Sequence, residues 1–193
     1  MTVISRREAM LRVGVLMGGV ISAPALSILS GCQTRTTPAT EGRIFNADQE
    51  RIIAEVAELI IPATDTPGAK DAQVPEFISV MIQDCYPEQD QQRFREGVDQ
   101  LEQNSQQAYN RSFVDLDQEQ QVQLLTQAET DARTQWEQNR EAGTPFFRLI
   151  KELTLIGYFT SEPGATKALA YVQNPGSYNG CTTMEPGQKA WAT

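Results

Sequence analysis

Apolar residues recur every three or four positions along the larger, C-terminal part of the chain, and this spacing predicts α-helices. Local signals indicate where helices begin: Asn46 opens a capping-box pattern, Asp117 is a further cap, and Thr144-Pro145 is a cap followed by a first-turn proline. No segment alternates with a period of two, as a half-buried strand would. The sequence therefore predicts an all-α domain over residues 44–193, a small bundle of about five to six helices.

The most apolar part of this domain is predicted to be one helix, from Phe146 to Phe159. Apolar residues surround nearly the whole of it, which is typical of a helix at the centre of a bundle or of one that also contacts a partner. After Gly164 a short helix is predicted from Lys167 to Val172. The remaining chain is rich in turn residues and predicts a loop-rich C-terminal tail.

The N-terminal residues follow another pattern, that of an export signal. Arg6 and Arg7 lie in a short polar region, a weakly apolar stretch follows, and Leu29-Ser30-Gly31-Cys32 ends it. The paired arginines resemble a twin-arginine signal. The last four residues resemble the bacterial lipoprotein box, in which the cysteine is acylated and becomes the new N-terminus. The alternatives are a transmembrane helix, for which the stretch is slightly shorter than the required about 20 apolar residues, and a plain signal with a chance cysteine.

These segments predict three parts. Residues 1–31 are a twin-arginine-type lipoprotein signal, residues 32–43 are a flexible polar tether, and residues 44–193 are the helical domain. Acyl chains on Cys32 would anchor the exported protein without inserting it. We therefore expect it at the periplasmic face of a bacterial membrane.

The amino-acid composition excludes several classes of function. The 193 residues contain no histidine, which excludes a Ser-His-Asp triad, His-ligated zinc and His-bound haem. The 16 Lys and Arg against 25 Asp and Glu give a net charge of −9, which argues against nucleic acid as a partner and favours a protein with a neutral or basic docking face. Phosphate-binding glycine loops and a convincing acid–base pair of carboxylates are missing. We predict no catalytic, cofactor-binding or metal-binding residues in this chain.

Two cysteines remain once Cys32 is assigned to lipid. Cys85 and Cys181 form an even pair, and an oxidising compartment favours a disulfide between them. Two unrelated thiols are the alternative. A bridge would hold the C-terminal tail against the second predicted helix.

Large aromatic residues are the candidates for a protein interface. Tyr178 and Trp191 lie in predicted loops, where aromatic side chains commonly anchor a partner. We expect them to act together with Phe146 and Phe147 of the most apolar helix. The alternative is that this helix is simply the buried centre and that Trp191 folds back on its own domain.

Three blocks of the sequence resemble the gluconate 2-dehydrogenase subunit 3 family. The first runs from Glu58 to Ala69 and continues through Val74-Pro75-Glu76-Phe77-Ile78. The second runs from Phe146 to Glu162, and the third comprises Tyr171-Val172 and the residues from Pro175 to Cys181. The blocks follow in the family's order behind a twin-arginine-type start, and together they cover about residues 44–193. The lipoprotein box departs from members that have ordinary cleaved signals.

The resemblance implies a non-catalytic small subunit of a membrane-bound sugar, sugar-acid or polyol dehydrogenase. The implied partner is a glucose–methanol–choline-type flavoprotein that carries FAD, often working with a separate c-type cytochrome that carries haem c. The small subunit is implied to assist folding, flavin loading and export of the flavoprotein in a chaperone-like role, and a lipid anchor would add tethering. The alternative function is a free-standing envelope lipoprotein that binds a ligand or scaffolds other proteins.

Overall fold

Five α-helices form most of the chain that the computed structural model describes, which comprises residues 43–174, 176–177 and 180–192. Two short 3-10 turns, Phe113–Asp115 and Arg140–Ala142, precede and follow the fourth helix. The prediction of an all-α bundle of about five to six helices is confirmed. In chain order the helices are α1 (Ala47–Ile60), α2 (Val74–Cys85), α3 (Glu88–Tyr109), α4 (Gln118–Gln138) and α5 (Phe146–Thr160).

Several predicted features lie outside the described residues. They include the export arginines Arg6 and Arg7, the lipidation candidate Cys32, and Tyr178 of the tail. Within the described ranges, every helix is too short or too polar to cross a bilayer.

Capping boxes begin two of the helices, at Asn46, where one is predicted, and at Asp117, where a cap is predicted. The Asn46 side chain accepts a hydrogen bond from the backbone N–H of Gln49 at 2.9 Å, and the Gln49 side chain accepts one from the backbone N–H of Asn46 at 3.1 Å. Asp117 and Gln120 repeat this exchange at the start of α4, at 2.9 and 3.4 Å. These bonds satisfy N–H groups that have no partner within the helix.

Helix α5 is at the centre of the bundle and packs against each of the other four helices. It starts one residue later than the pattern indicates, because Pro145 occupies the cap position and no side chain caps the first turn. The prediction of Thr144 as the cap is therefore wrong, whereas the prediction of a central helix is confirmed. The core around α5 takes side chains from every helix, including Ile53, Val56, Ile78, Ile82, Phe94, Val98, Leu125, Ile150 and Leu153.

The chain after α5 differs from the predicted helix over Lys167–Val172. A π-helical turn, Gly164–Ala168, comes first, and the backbone is already extended at Leu169. Strand β1 (Ala170–Tyr171) then pairs in parallel with β2 (Trp191–Ala192). The returning tail supplies the hydrogen-bond partners of β1, so these residues have no need of helical hydrogen bonds.

Candidate functional site

The loop between α1 and α2 is held in shape by a carboxylate, Glu58. Its Oε1 accepts a hydrogen bond from the backbone N–H of Ala63 at 3.0 Å, and its Oε2 accepts one from the backbone N–H of Lys70 at 2.9 Å. Gly68 passes directly beside this carboxylate, and a Cβ at this position would lie 2.6 Å from the Ala63 nitrogen. Because glycine has no Cβ, the loop can close around Glu58, and charge-assisted hydrogen bonds then hold it.

Tyr158 of α5 holds the same loop from the other side. Its ring is buried, and its hydroxyl donates a hydrogen bond to the Pro67 carbonyl oxygen at 2.7 Å. This contact joins residues that are 91 positions apart in the chain and that belong to the two longest of the blocks on which the family resemblance rests. The spacing of residues carries no signal for such a contact, so the roles of Glu58 and Tyr158 could not be predicted from the sequence pattern.

Three large apolar side chains at the C-terminal end of α5 are exposed, and we call them the α5 apolar face: Leu155, Ile156 and Phe159. Their exposed fractions are 40%, 44% and 41%. Leu155 and Phe159 are four residues apart and therefore lie on the same side of the helix. The Phe159 ring packs edge-on against the Tyr158 ring, with 5.3 Å between the centroids. Since Tyr158 is fixed by burial and a hydrogen bond, it gives Phe159 a rigid support.

Helix α4 contributes a further exposed apolar residue at the same end of the bundle. Lys151 of α5 pairs with Glu129 of α4 at 2.6 Å, and Arg148 of α5 lies over the ring of Trp136 of α4. Since residue numbers rise along one helix as they fall along the other, α4 and α5 are antiparallel. The exposed Val122, near the start of α4, therefore lies at the same end of the helix pair as the α5 apolar face.

The tail adds two exposed aromatic residues after α5. Tyr171 lies in β1, and Trp191, which is 60% exposed, lies in β2 opposite Ala170. Trp191 is therefore not buried in the core, although its segment does fold back on the domain through the pairing of β2 with β1. Its predicted contact with a partner stays a prediction, as does that of Tyr178, which is outside the described residues.

Phe146 and Phe147 do not belong to this surface. Phe147 is only 6% exposed, and the half-buried Phe146 packs its ring against Phe94 with 5.1 Å between centroids. Both rings pack against other helices, and Phe147 also lines an open groove between α4 and α5. As candidates for the interface within this helix they are replaced by the α5 apolar face.

The two remaining cysteines are both exposed. Cys85 is the last residue of α2, and Cys181 lies in the tail. The structure forms no bond between them, so the Cys85–Cys181 disulfide stays a prediction for the oxidised, exported protein.

Burial of the phenol, together with the nearby carboxylates of Glu152 and Asp90, raises the pKa of Tyr86 above its ordinary value. Across residues 43–174 and the described parts of the tail, no three acidic or cysteine side chains are grouped so that they could hold a metal ion.

A rigid helical scaffold with exposed apolar residues at one end is typical of proteins that bind another protein. The family model described as gluconate 2-dehydrogenase subunit 3 matches residues 47–176. The chain therefore belongs to this family of dehydrogenase accessory subunits, as the resemblance of the three blocks implies. Searches of curated proteins and of solved structures gave no significant match. The matched range contains Glu58, Gly68, Tyr158 and the α5 apolar face, whereas Trp191 lies beyond it.

Proposed function

We propose that the protein is the non-catalytic small subunit of a periplasmic, membrane-associated, flavin-dependent dehydrogenase that oxidises a sugar, a sugar acid or a polyol. Its partner is a glucose–methanol–choline-type flavoprotein that holds FAD, with a c-type cytochrome as a third subunit. The observation that carries the proposal is the α5 apolar face on a rigid support, in a chain of this family.

Burial of this face would supply a substantial part of the binding free energy. Fully burying a Leu, Ile or Phe side chain contributes roughly 1.5–3 kcal/mol. The part of each side chain that is still exposed, 40–44%, would therefore contribute about 1 kcal/mol, or about 3 kcal/mol for the three together. Trp191 has more surface left to bury and would add to this sum.

The hydrogen bonds of Glu58 and Tyr158 support binding indirectly. They order the loop between α1 and α2 and the end of α5 before a partner arrives. Association then costs less conformational entropy than it would with mobile segments. We infer that these two residues stabilise the docking end and do not themselves need to touch the partner.

The N-terminal signal would direct the export of the protein together with its partner. Twin-arginine transport carries folded cargo, so a small subunit with Arg6 and Arg7 can take a flavin-loaded partner across the membrane with it. Acylation of Cys32 then tethers the complex at the periplasmic face. In the variant Arg6→Lys with Arg7→Lys we expect both proteins to stay in the cytoplasm. A partner that still reaches the envelope by itself would rule out shared export.

The central experiment is a pull-down of the tagged small subunit in mild detergent from its native host, followed by an absorption spectrum. We expect a co-purifying protein with the spectrum of bound flavin. The double variant Leu155→Ser with Phe159→Ser should lose the flavoprotein while keeping a wild-type circular dichroism spectrum. The matched control is Val80→Ser on α2, which alters an exposed apolar residue outside the α5 apolar face. Recovery of the unmodified small subunit without any flavoprotein would overturn the proposal.

One observation favours a second candidate, the free-standing lipoprotein that binds a ligand. An open groove of about 660 Å³ lies between α1 and α2, and its lining includes Ile44, Ala54 and Val80. A small molecule of moderate size would fit this volume. Native mass spectrometry of the envelope-purified protein would distinguish the two candidates, because a bound small molecule in place of a flavoprotein supports the second.

A further inference from the structure

A second groove lies between α4 and α5, in the half of the helix pair that is farther from the α5 apolar face. Its volume is about 790 Å³, and we call it the Trp136 groove after the aromatic residue in its lining. The Arg148 guanidinium carbon lies 4.5 Å from the centroid of the Trp136 ring, and that of Arg140 lies 5.9 Å away. Both distances are within the range in which a cation is attracted to an aromatic face.

The lining of this groove carries an excess of positive charge. Four cationic side chains line it. Two carboxylates line it as well, and one of them is neutralised because Lys151 pairs with it at 2.6 Å. The three arginines take part in no ion pair within the described residues. The cationic residues are Arg133, Arg140, Arg148 and Lys151, and the anionic ones are Glu129 and Glu137.

This excess contrasts with the rest of the molecule. The whole chain has a net charge of −9, from which a partner with a neutral or basic docking face is expected. The Trp136 groove is a local exception, since unpaired guanidinium groups converge on one half-buried indole. A surface of this kind attracts anionic groups over a distance of about one Debye length, about 8 Å at physiological salt.

The chemistry of the groove points to carboxylates. A guanidinium group that stacks on an indole still has N–H donors at its edge, and their fork geometry matches a carboxylate with two parallel hydrogen bonds. A flat anionic membrane is a poorer fit because Glu129 and Glu137 line the groove and the whole chain is acidic. A protruding peptide segment can place single acidic side chains beside the arginines and an apolar side chain on the indole.

We infer that the Trp136 groove binds an acidic segment of a partner protein, with Arg140 and Arg148 holding its carboxylates and Trp136 contacting the chain between them. This binding site is separate from the α5 apolar face. An acidic segment of any protein partner would fit this groove, so the inference does not depend on the proposed flavoprotein.

The test uses the chain with two background substitutions. Cys32→Ser removes the candidate acylation site, and Trp191→Phe leaves Trp136 as the only tryptophan of the chain. A synthetic hexaglutamate peptide is titrated at low salt, and binding is followed by tryptophan fluorescence and by isothermal titration calorimetry. We expect saturable binding that is lost at high salt, because the contacts are charged.

Two arginine variants test whether the peptide binds in the Trp136 groove. Arg148→Gln and Arg140→Gln should each weaken hexaglutamate binding about tenfold, as expected for loss of a charge-assisted hydrogen bond. The matched control is Arg51→Gln on α1, which removes the same charge from another exposed position and should change the affinity less than about twofold. Circular dichroism should show the same helix content in all of them.

Three results would overturn the inference. The first is the absence of hexaglutamate binding. The second is equal binding by wild-type protein and Arg148→Gln. The third is displacement of the peptide by equimolar inorganic phosphate or by phosphatidylglycerol vesicles, since the groove would then be a general anion site or a membrane contact.

Discussion

The hydrogen bond between Tyr158 and Pro67 allows a direct test of how the shape of this end of the bundle is maintained, because Tyr158→Phe removes one hydroxyl and leaves the ring in place. In the wild-type protein this hydroxyl donates to the Pro67 carbonyl oxygen at 2.7 Å. The ring itself is buried beside Phe159, so its packing should survive the substitution. The change therefore isolates the hydrogen bond from the hydrophobic contact.

The expected loss follows from the net value of such a bond. A neutral intramolecular hydrogen bond contributes about 1 kcal/mol to the free energy of unfolding, because water replaces it in the unfolded chain. Pro67 is only partly buried, so we expect water to reach its carbonyl in the variant and the loss not to exceed this value greatly. For a domain of this size, about 1 kcal/mol lowers the midpoint of thermal unfolding by about 2–4 °C.

The assay is urea unfolding followed by circular dichroism, with Tyr171→Phe as the matched control. Tyr171 is exposed and its hydroxyl makes no hydrogen bond within the described residues, so the control should unfold at the wild-type urea concentration. Hydrogen exchange should also become faster at the backbone N–H groups of Ala63 and Lys70, whose loop loses one of its two supports. Equal midpoints for Tyr158→Phe and Tyr171→Phe would refute this view of the loop.

The lipid anchor, the two remaining cysteines and the Tyr86 phenol can each be tested by one experiment. Cys32→Ala should abolish acyl labelling and membrane retention, and a labelled, membrane-bound variant would disprove the lipoprotein assignment. Non-reducing peptide mapping of exported protein should recover Cys85 and Cys181 in one linked peptide pair, and two alkylated thiols would contradict the bridge. The pKa of Tyr86 is raised in the folded state, so the folded protein holds this proton more tightly and loses stability as the pH rises above about 10. Tyr86→Phe should therefore lose less stability than wild type between about pH 9 and about pH 11, as measured by urea unfolding.

Local features of the fold were predictable because their causes are local. The capping boxes at Asn46 and Asp117 each depend on a partner three residues away, and both are present. The central place of α5 was also predictable, since only a helix with neighbours on most sides can bury so many apolar residues.

Features that depend on distant parts of the chain could not be predicted. Apolar residues surround α5, so the sequence does not indicate which of them the other helices leave exposed; Phe147 is covered and Leu155 is not. The pairing of Ala170 with Trp191 likewise depends on the path of the tail between them. The Tyr158–Pro67 hydrogen bond depends on the packing of α5 against the α1–α2 loop, and neither segment indicates it alone.

The order of exposed residues along α5 limits the direction in which a partner can dock. Arg148, Leu155 and Phe159 are spaced by seven and four residues, so they lie along one side of α5 within about 16 Å. This side begins with the cationic Arg148, continues with the exposed carboxylate of Glu152 and ends with the apolar Leu155 and Phe159 toward the C-terminus of the helix. A partner that contacts its whole length must present carboxylates to one end and apolar groups to the other. A reversed partner would place charges against Leu155 and Phe159 without any counter-ion, so we expect a partner that contacts this side of α5 to dock in one direction only.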